Sequence, residues 1–288
     1  MALVVVWGAR VAWLALGLLA GGAVGDALSS HSRPVQLTGT VLAWIAWGGV
    51  AAALMVPSAL ALTIVRTCVP VGVVVTVALA VAGADATAVA LFGACALVAT
   101  FASASGELGQ AFVQASAYGD ERRFPLRPPV PYLVPTVVSW CVWCAALLSG
   151  PLLLAAGSLV VGSVVSALAV AMTWFLGRRY HRLSRRWLVL VPAGVVIHDH
   201  VVLAETAMFP RTTVARLGLA LTGTEAADLT GPAAGNVIEI AFTDLPTVVL
   251  AGTRTKPAGT ALHVRSVLVA PSRPGRALTA AAARLPVG

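Results

Sequence analysis

Through its first 177 positions the chain repeats one pattern, apolar windows of about 20 residues separated by short polar or glycine-containing stretches. A helix of that length covers the roughly 30 Å of hydrocarbon in a bilayer. Six such windows fit, at 4–25, 36–55, 62–83, 86–104, 131–148 and 152–176. Beyond residue 187 the period shortens. The apolar runs 187–191 and 195–198 flank Pro192-Ala193-Gly194, which predicts a β-hairpin. Further strands are predicted at 201–204, 213–217, 227–229, 236–243, 247–250 and 262–269, and the segment 236–243 alternates, with Ile238, Ile240 and Phe242 on one face. Ser272 and Pro274 open an Ala-rich helix that runs to about Arg284 and stops before Pro286. The pattern predicts a membrane α-helical bundle of about six spans over 1–177, a junction at 178–186, and a small β-barrel or sandwich capped by one helix over 187–288.

Composition sharpens this picture. Hydrophobic residues make up 59% and charged residues 10% of the chain, and mean hydropathy is +0.91. An average soluble domain carries about a quarter charged residues, so a soluble globule is excluded. The net charge of +8 arises mainly at the junction, where Arg178, Arg179, Arg182, Arg185 and Arg186 occur without an acid. Residues 1–177 carry six basic and five acidic side chains, and 188–288 carry eight and six. Cations gathered directly after an apolar span point to anionic lipid headgroups rather than nucleic acid, and all five arginines are candidate membrane-surface residues.

The positive-inside rule then places the tail in the cytoplasm of a cell bounded by an inner (plasma) membrane. Six spans put the N-terminus on the same side, together with Arg66 and the group Arg122, Arg123 and Arg127, while the outer connections hold Asp26, His31, Arg33, Asp85 and the sequence Ser149-Gly150-Pro151. Arg10, an apolar core and the small residues of 21–27 also fit a signal peptide, whose removal would leave five spans in the same orientation.

Candidate chemistry is sparse. No Asp, Glu or Lys falls within the six windows, which argues against an ion-coupled carrier. Arg66, four residues before Pro70, marks a polar notch or the entry of an Arg side chain toward headgroups. Glu107, Gln110 and Gln114 share a helical stripe between the fourth and fifth windows, which reads either as the fourth span continuing past the membrane with a wet face or as a candidate docking site together with Arg66. Ser103 and Ser105, in a run of small residues, read as helix packing. Cys141 and Cys144 have the spacing of a thiol redox pair. A membrane thiol oxidoreductase would need a second pair, and Cys68 and Cys95 are far apart in sequence, so packing is the favoured reading. His198-Asp199-His200, with only the distant His263 as a further ligand, reads as a polar turn rather than a metal site. No phosphate loop, nucleophile elbow or zinc-protease motif is present, and no catalytic residue, cofactor or metal is assigned.

Three phrases carry a family likeness: 186–196 opening the first hairpin, 209–217 in the third-strand region, and 269–274 leading into the last helix. In these the tail resembles a bacterial pleckstrin-homology-like domain, and the whole chain resembles multi-pass membrane proteins of actinobacteria. The resemblance implies a small β fold that serves as a membrane-tethered interaction module. It does not extend to inositol phosphate binding, because Pro192-Ala193-Gly194 offers no cation where lipid-binding members gather them. The expected function is that of a membrane-anchored scaffold or adaptor, with membrane lipids and a protein partner or second copy as partners. The alternative is a transporter or lipid-handling protein with a regulatory tail.

The topology is testable with single cysteines in a chain whose own four are replaced by alanine. An impermeant thiol reagent added to intact cells should label Ser30→Cys and leave Ser116→Cys and Ser272→Cys unmodified until the membrane is opened.

Overall fold

The computed structural model describes residues 2–221, 223–252 and 259–287. It divides into a helical unit, Met1–Phe112 with Val137–Tyr180, and a β unit, Val113–Thr136 with His181–Gly288. Among the described residues six stretches are helical, long enough and apolar enough to cross a membrane: Ala2–Ala20, Arg33–Met55, Ala59–Val81, Ala86–Ala104, Val130–Ala155 and Leu159–Ser184.

In chain order the helices are α1 (Ala2–Ala20), α2 (Gly22–Leu28), α3 (Arg33–Met55), α4 (Ala59–Cys68), α5 (Val71–Val81), α6 (Ala86–Ala104), α7 (Gly106–Gln114), α8 (Val130–Ala155), α9 (Leu159–Ser184) and α10 (Pro274–Ala282). Side-chain oxygens start three of them, Ser58 accepting from Ala61 N, Asp85 from Ala88 N and Ser105 from Leu108 N. The third span is two helices because the chain is interrupted at Val69-Pro70, where proline cannot donate. The expected break at 149–151 is absent. Helix α8 runs through Pro151 to Ala155, and the turn falls instead at Gly157, whose φ of +86° is readily adopted only by glycine.

Within the helical unit α1 and α3 exchange indole bonds. Trp13 Nε1 donates to the Trp47 carbonyl and Trp47 Nε1 to the Trp13 carbonyl, both at 2.9 Å. A Cβ at Gly17 would collide with the Trp47 ring, so this glycine opens the space the exchange requires.

The β unit holds β1 (Arg122–Pro125), β2 (Trp187–Val191), β3 (Gly194–His198), β4 (Ala207–Pro210), β5 (Val214–Leu219), β6 (Ala227–Asp228), β7 (Ile238–Phe242), β8 (Thr247–Leu250), β9 (Thr260–His263) and β10 (Ser266–Val269). They form sheets of order β1-β2-β3-β4 and β5-β7-β10-β6 and the pair β8-β9. The sheets are open, and among the described residues no barrel closes. Residues 201–204, expected as a strand, form only a bridge from Leu203 to Leu250, and the run 262–269 divides into β9 and β10. Leu188, Leu190, Ile197 and Phe209 of the first sheet share one buried core with Ile238, Ile240 and Val267 of the second, and Ala277 and Ala281 of α10 close it.

The sequence pattern predicts no strand between the fourth and fifth windows. Residues 122–125 are instead a full strand, with Arg122 opposite Leu190 and Pro125 opposite Trp187 in antiparallel register. The β fold therefore begins in the loop between the fourth and fifth spans, not at residue 187. Its centre is an ion pair. Arg186 Nε and Nη2 donate to the two carboxylate oxygens of Asp199 at 2.8 and 2.7 Å, Nη1 donates to the Arg127 carbonyl at 2.7 Å, and Nη2 also reaches the Thr230 carbonyl at 3.2 Å. Both side chains are fully buried. Breaking such a pair leaves one charge desolvated and uncompensated. Arg186→Met or Asp199→Asn should each cost about 3–5 kcal/mol, read as a lower melting temperature in detergent and rapid proteolysis within 187–288. The double variant Arg186→Met/Asp199→Leu should lose less than the two single losses added.

Candidate functional site

Because the β unit buries Leu188, Leu190, Val195 and Ile197, the alternate residues of β2 and β3 face the other way. That outer face carries Trp187, Val189 and Val191 on β2, Val196 and His198 on β3, Arg123 on β1 and Met208 on β4. Met208 is 56% exposed, and Val191 and Val196 are half-buried. A shallow cleft of about 340 Å³ lies on this face, lined by Glu121, Arg123, Arg185, Trp187, Val196 and His198 among others.

Its polar end is ordered. The His198 ring stacks on Trp187, with centroids 5.0 Å apart and planes 13° from parallel, and His200 meets His198 edge-on at 4.4 Å. The Arg123 guanidinium lies 5.5 Å from the centroid of the Trp187 ring and pairs with Glu121 at 2.8 Å. Arg185 is exposed and has no carboxylate partner among the described residues. Thr206 Oγ1 lies 3.0 Å from His198 Nδ1, while His198 Nε2 is buried without a partner among the described residues. Desolvation first, then the neighbouring His200, Arg185 and Arg123, push the imidazole down to about 4, with Asp199 opposing weakly. It is neutral near pH 7. The face therefore combines an apolar floor with two guanidinium groups. Glu121 offsets Arg123 in the same cleft, so Arg185 is its cation without a carboxylate partner, and no nucleophile is set against a base there among the described residues.

Residues expected from sequence are distributed differently from their grouping there. Arg178, Arg179, Arg182 and Arg185 are exposed. Arg186 is 1% exposed and joined to Asp199, which corrects its assignment to the membrane surface; a guanidinium held by a buried carboxylate and two carbonyls cannot serve headgroups. Arg66 donates to the Ser103 and Ser105 carbonyls at 3.3 and 3.4 Å, meeting acceptors left open where α6 ends. The indole of Trp140 donates to the Thr67 carbonyl beside the Pro70 break at 2.9 Å. The notch is thus closed by bonds within the helical unit. Glu107 is 5% exposed and belongs with Gln110 to that unit, whereas Gln114 belongs to the β unit, so the stripe does not act as one surface.

Gln114 has a structural task of its own. Its Nε2 donates to the Glu121 carbonyl at 2.9 Å and its Oε1 accepts from Arg123 N at 3.0 Å, so one carboxamide covers the edge of β1 as a neighbouring peptide group would. Cys141 is exposed and Cys144 buried, both as free thiols. Asp199 of the His-Asp-His run is committed to Arg186, and among the described residues no three His, Cys, Asp or Glu side chains converge on a metal position. The outer face escaped the sequence reading because β2 is apolar on both sides. Alternation gave no contrast there, and Arg123 looked like a loop charge.

No family model, curated protein or solved structure matches this chain.

His198 predicts a pH dependence. Unfolded histidine protonates near 6.5, and the folded ring resists until about 4. Between those values the unfolded chain binds more protons, so stability declines as pH falls from 6.5 to about 4 and then levels. His198→Gln should flatten that part of a melting-temperature profile recorded on the full chain in detergent, and leave the profile above pH 7 parallel to wild type.

Proposed function

We propose that the chain is a multi-pass protein of the inner (plasma) membrane whose β unit, a pleckstrin-homology-like module, faces the cytoplasm with the N-terminus and acts as a membrane-anchored scaffold or adaptor. The observation that carries this reading is the outer face of β1 to β4, an apolar floor flanked by Arg123 and Arg185 and centred on the stacked Trp187 and His198. Aromatic and Arg side chains are the residue types enriched where protein surfaces bind one another.

Support for the membrane geometry comes from β1 pairing with β2. Strands in one sheet lie on one side of a bilayer, so the connection between the fourth and fifth spans and the segment after the sixth share a side. That agrees with the arginine distribution, which makes the side cytoplasmic. Three passages of chain, after Phe112, before Val137 and after Tyr180, join the β unit to the helices and tether it to them.

A photo-crosslinking residue at Met208 or Val196 of the full chain, expressed in native cells, should give a discrete protein adduct that is absent from Thr279 and lost in Val191→Arg. Equal adducts at Thr279 would refute the face. Small-molecule or lipid capture that persists without residues 187–288 would move the activity to the helical unit, as the transporter or lipid-handling alternative requires.

A further inference from the structure

A second feature concerns the last span itself. On α9, Thr173, Trp174, Gly177 and Arg178 lie three, four, seven and eight positions after Val170, so the five form a single stripe that ends in a cation. They line a groove of about 450 Å³. Trp174 is 60% exposed, Gly177 contributes no side chain, and the Thr173 hydroxyl is already occupied, accepting from Trp143 Nε1 at 2.8 Å and donating to the Ala169 carbonyl at 2.7 Å. The groove is therefore apolar along its length and offers its hydrogen bonds only at the Arg178 end.

Arg178 is held for that purpose. Its guanidinium carbon lies 3.9 Å from the centroid of the Trp174 ring, a cation–π contact, and the residue is exposed. It has no carboxylate partner among the described residues, and Arg179 and Arg182 follow on the same helix without an acid. A planar donor edge matches two oxygens of a phosphodiester. The indole beside it suits the boundary between headgroup and chain.

We propose that this groove is a binding site for one anionic phospholipid, its phosphodiester on the Arg178 edge and an acyl chain along Val170 to Gly177. A zwitterionic lipid brings its own cation to the arginine group and is disfavoured. The site needs only that α9 crosses the bilayer and is independent of what the β unit binds.

The test uses the full chain purified in detergent and titrated with phosphatidylglycerol or phosphatidylcholine, with bound lipid counted by native mass spectrometry. Wild type should retain phosphatidylglycerol at least tenfold better than phosphatidylcholine. Arg178→Gln should abolish that preference. A Cβ at Gly177 meets nothing within 4 Å, so Gly177→Leu should fold normally, fill the groove and lose the lipid while keeping every charge. Arg182→Gln should bind nearly as wild type, and excess inorganic phosphate should not displace the lipid. Undiminished binding in Gly177→Leu, or equal losses in Arg178→Gln and Arg182→Gln, would overturn the site in favour of diffuse surface charge.

Discussion

A guanidinium can be buried only where its N–H groups find acceptors, and Arg186 satisfies this with partners from distant parts of the chain. Asp199 follows β3, Arg127 follows β1, and Thr230 follows β6. The carboxylate is organised in turn, with Oδ1 also accepting from Val201 N at 3.0 Å. A charge pair removed from water is weak evidence for net stability, because desolvation offsets much of the attraction. Its strength is in specification, since alternative arrangements of these segments would leave a bare ion in the core.

Other contacts follow the same scheme of joining the inserted loop to the tail. Arg127 N donates to the Ala270 carbonyl at 2.8 Å, and Ser272 N to the Pro125 carbonyl at 2.7 Å. Arg284, just past α10, reaches both the Asp120 carboxylate at 2.6 Å and the Leu190 carbonyl at 3.2 Å. Loop and tail are thus parts of one folding unit. Its outer face is free to vary because the buried face and this polar lattice determine the arrangement.

Legibility in the sequence followed the physical range of each determinant. Helices set by about 20 consecutive apolar residues were visible, because membrane spanning is a local requirement. The β2–β3 hairpin was visible through Pro192-Ala193-Gly194, and α10 through Pro274. Strand β1 was hidden: Arg122-Arg123-Phe124-Pro125 has no strand-like composition and becomes one only through pairing with residues far along the chain. Arg186 was hidden for the same reason, since five neighbouring arginines look alike until one meets Asp199. Pro151 misled in the opposite direction. Local chemistry predicted a turn there, yet the apolar run continues as helix to Ala155.

The placement of β1 also sets an order of assembly. A ribosome releases Pro125 well before Trp187, and at about 5–20 residues per second the nascent strand waits on the order of ten seconds for its partner. In a chain whose α8 and α9 cross a bilayer, both must be threaded before Trp187 can return to the side where the strand waits. A failed insertion would strand β2 across the membrane and leave an unpaired edge. Pairing of β1 with β2 is thus possible only once the final helical hairpin has returned Trp187 to the side that holds Pro125.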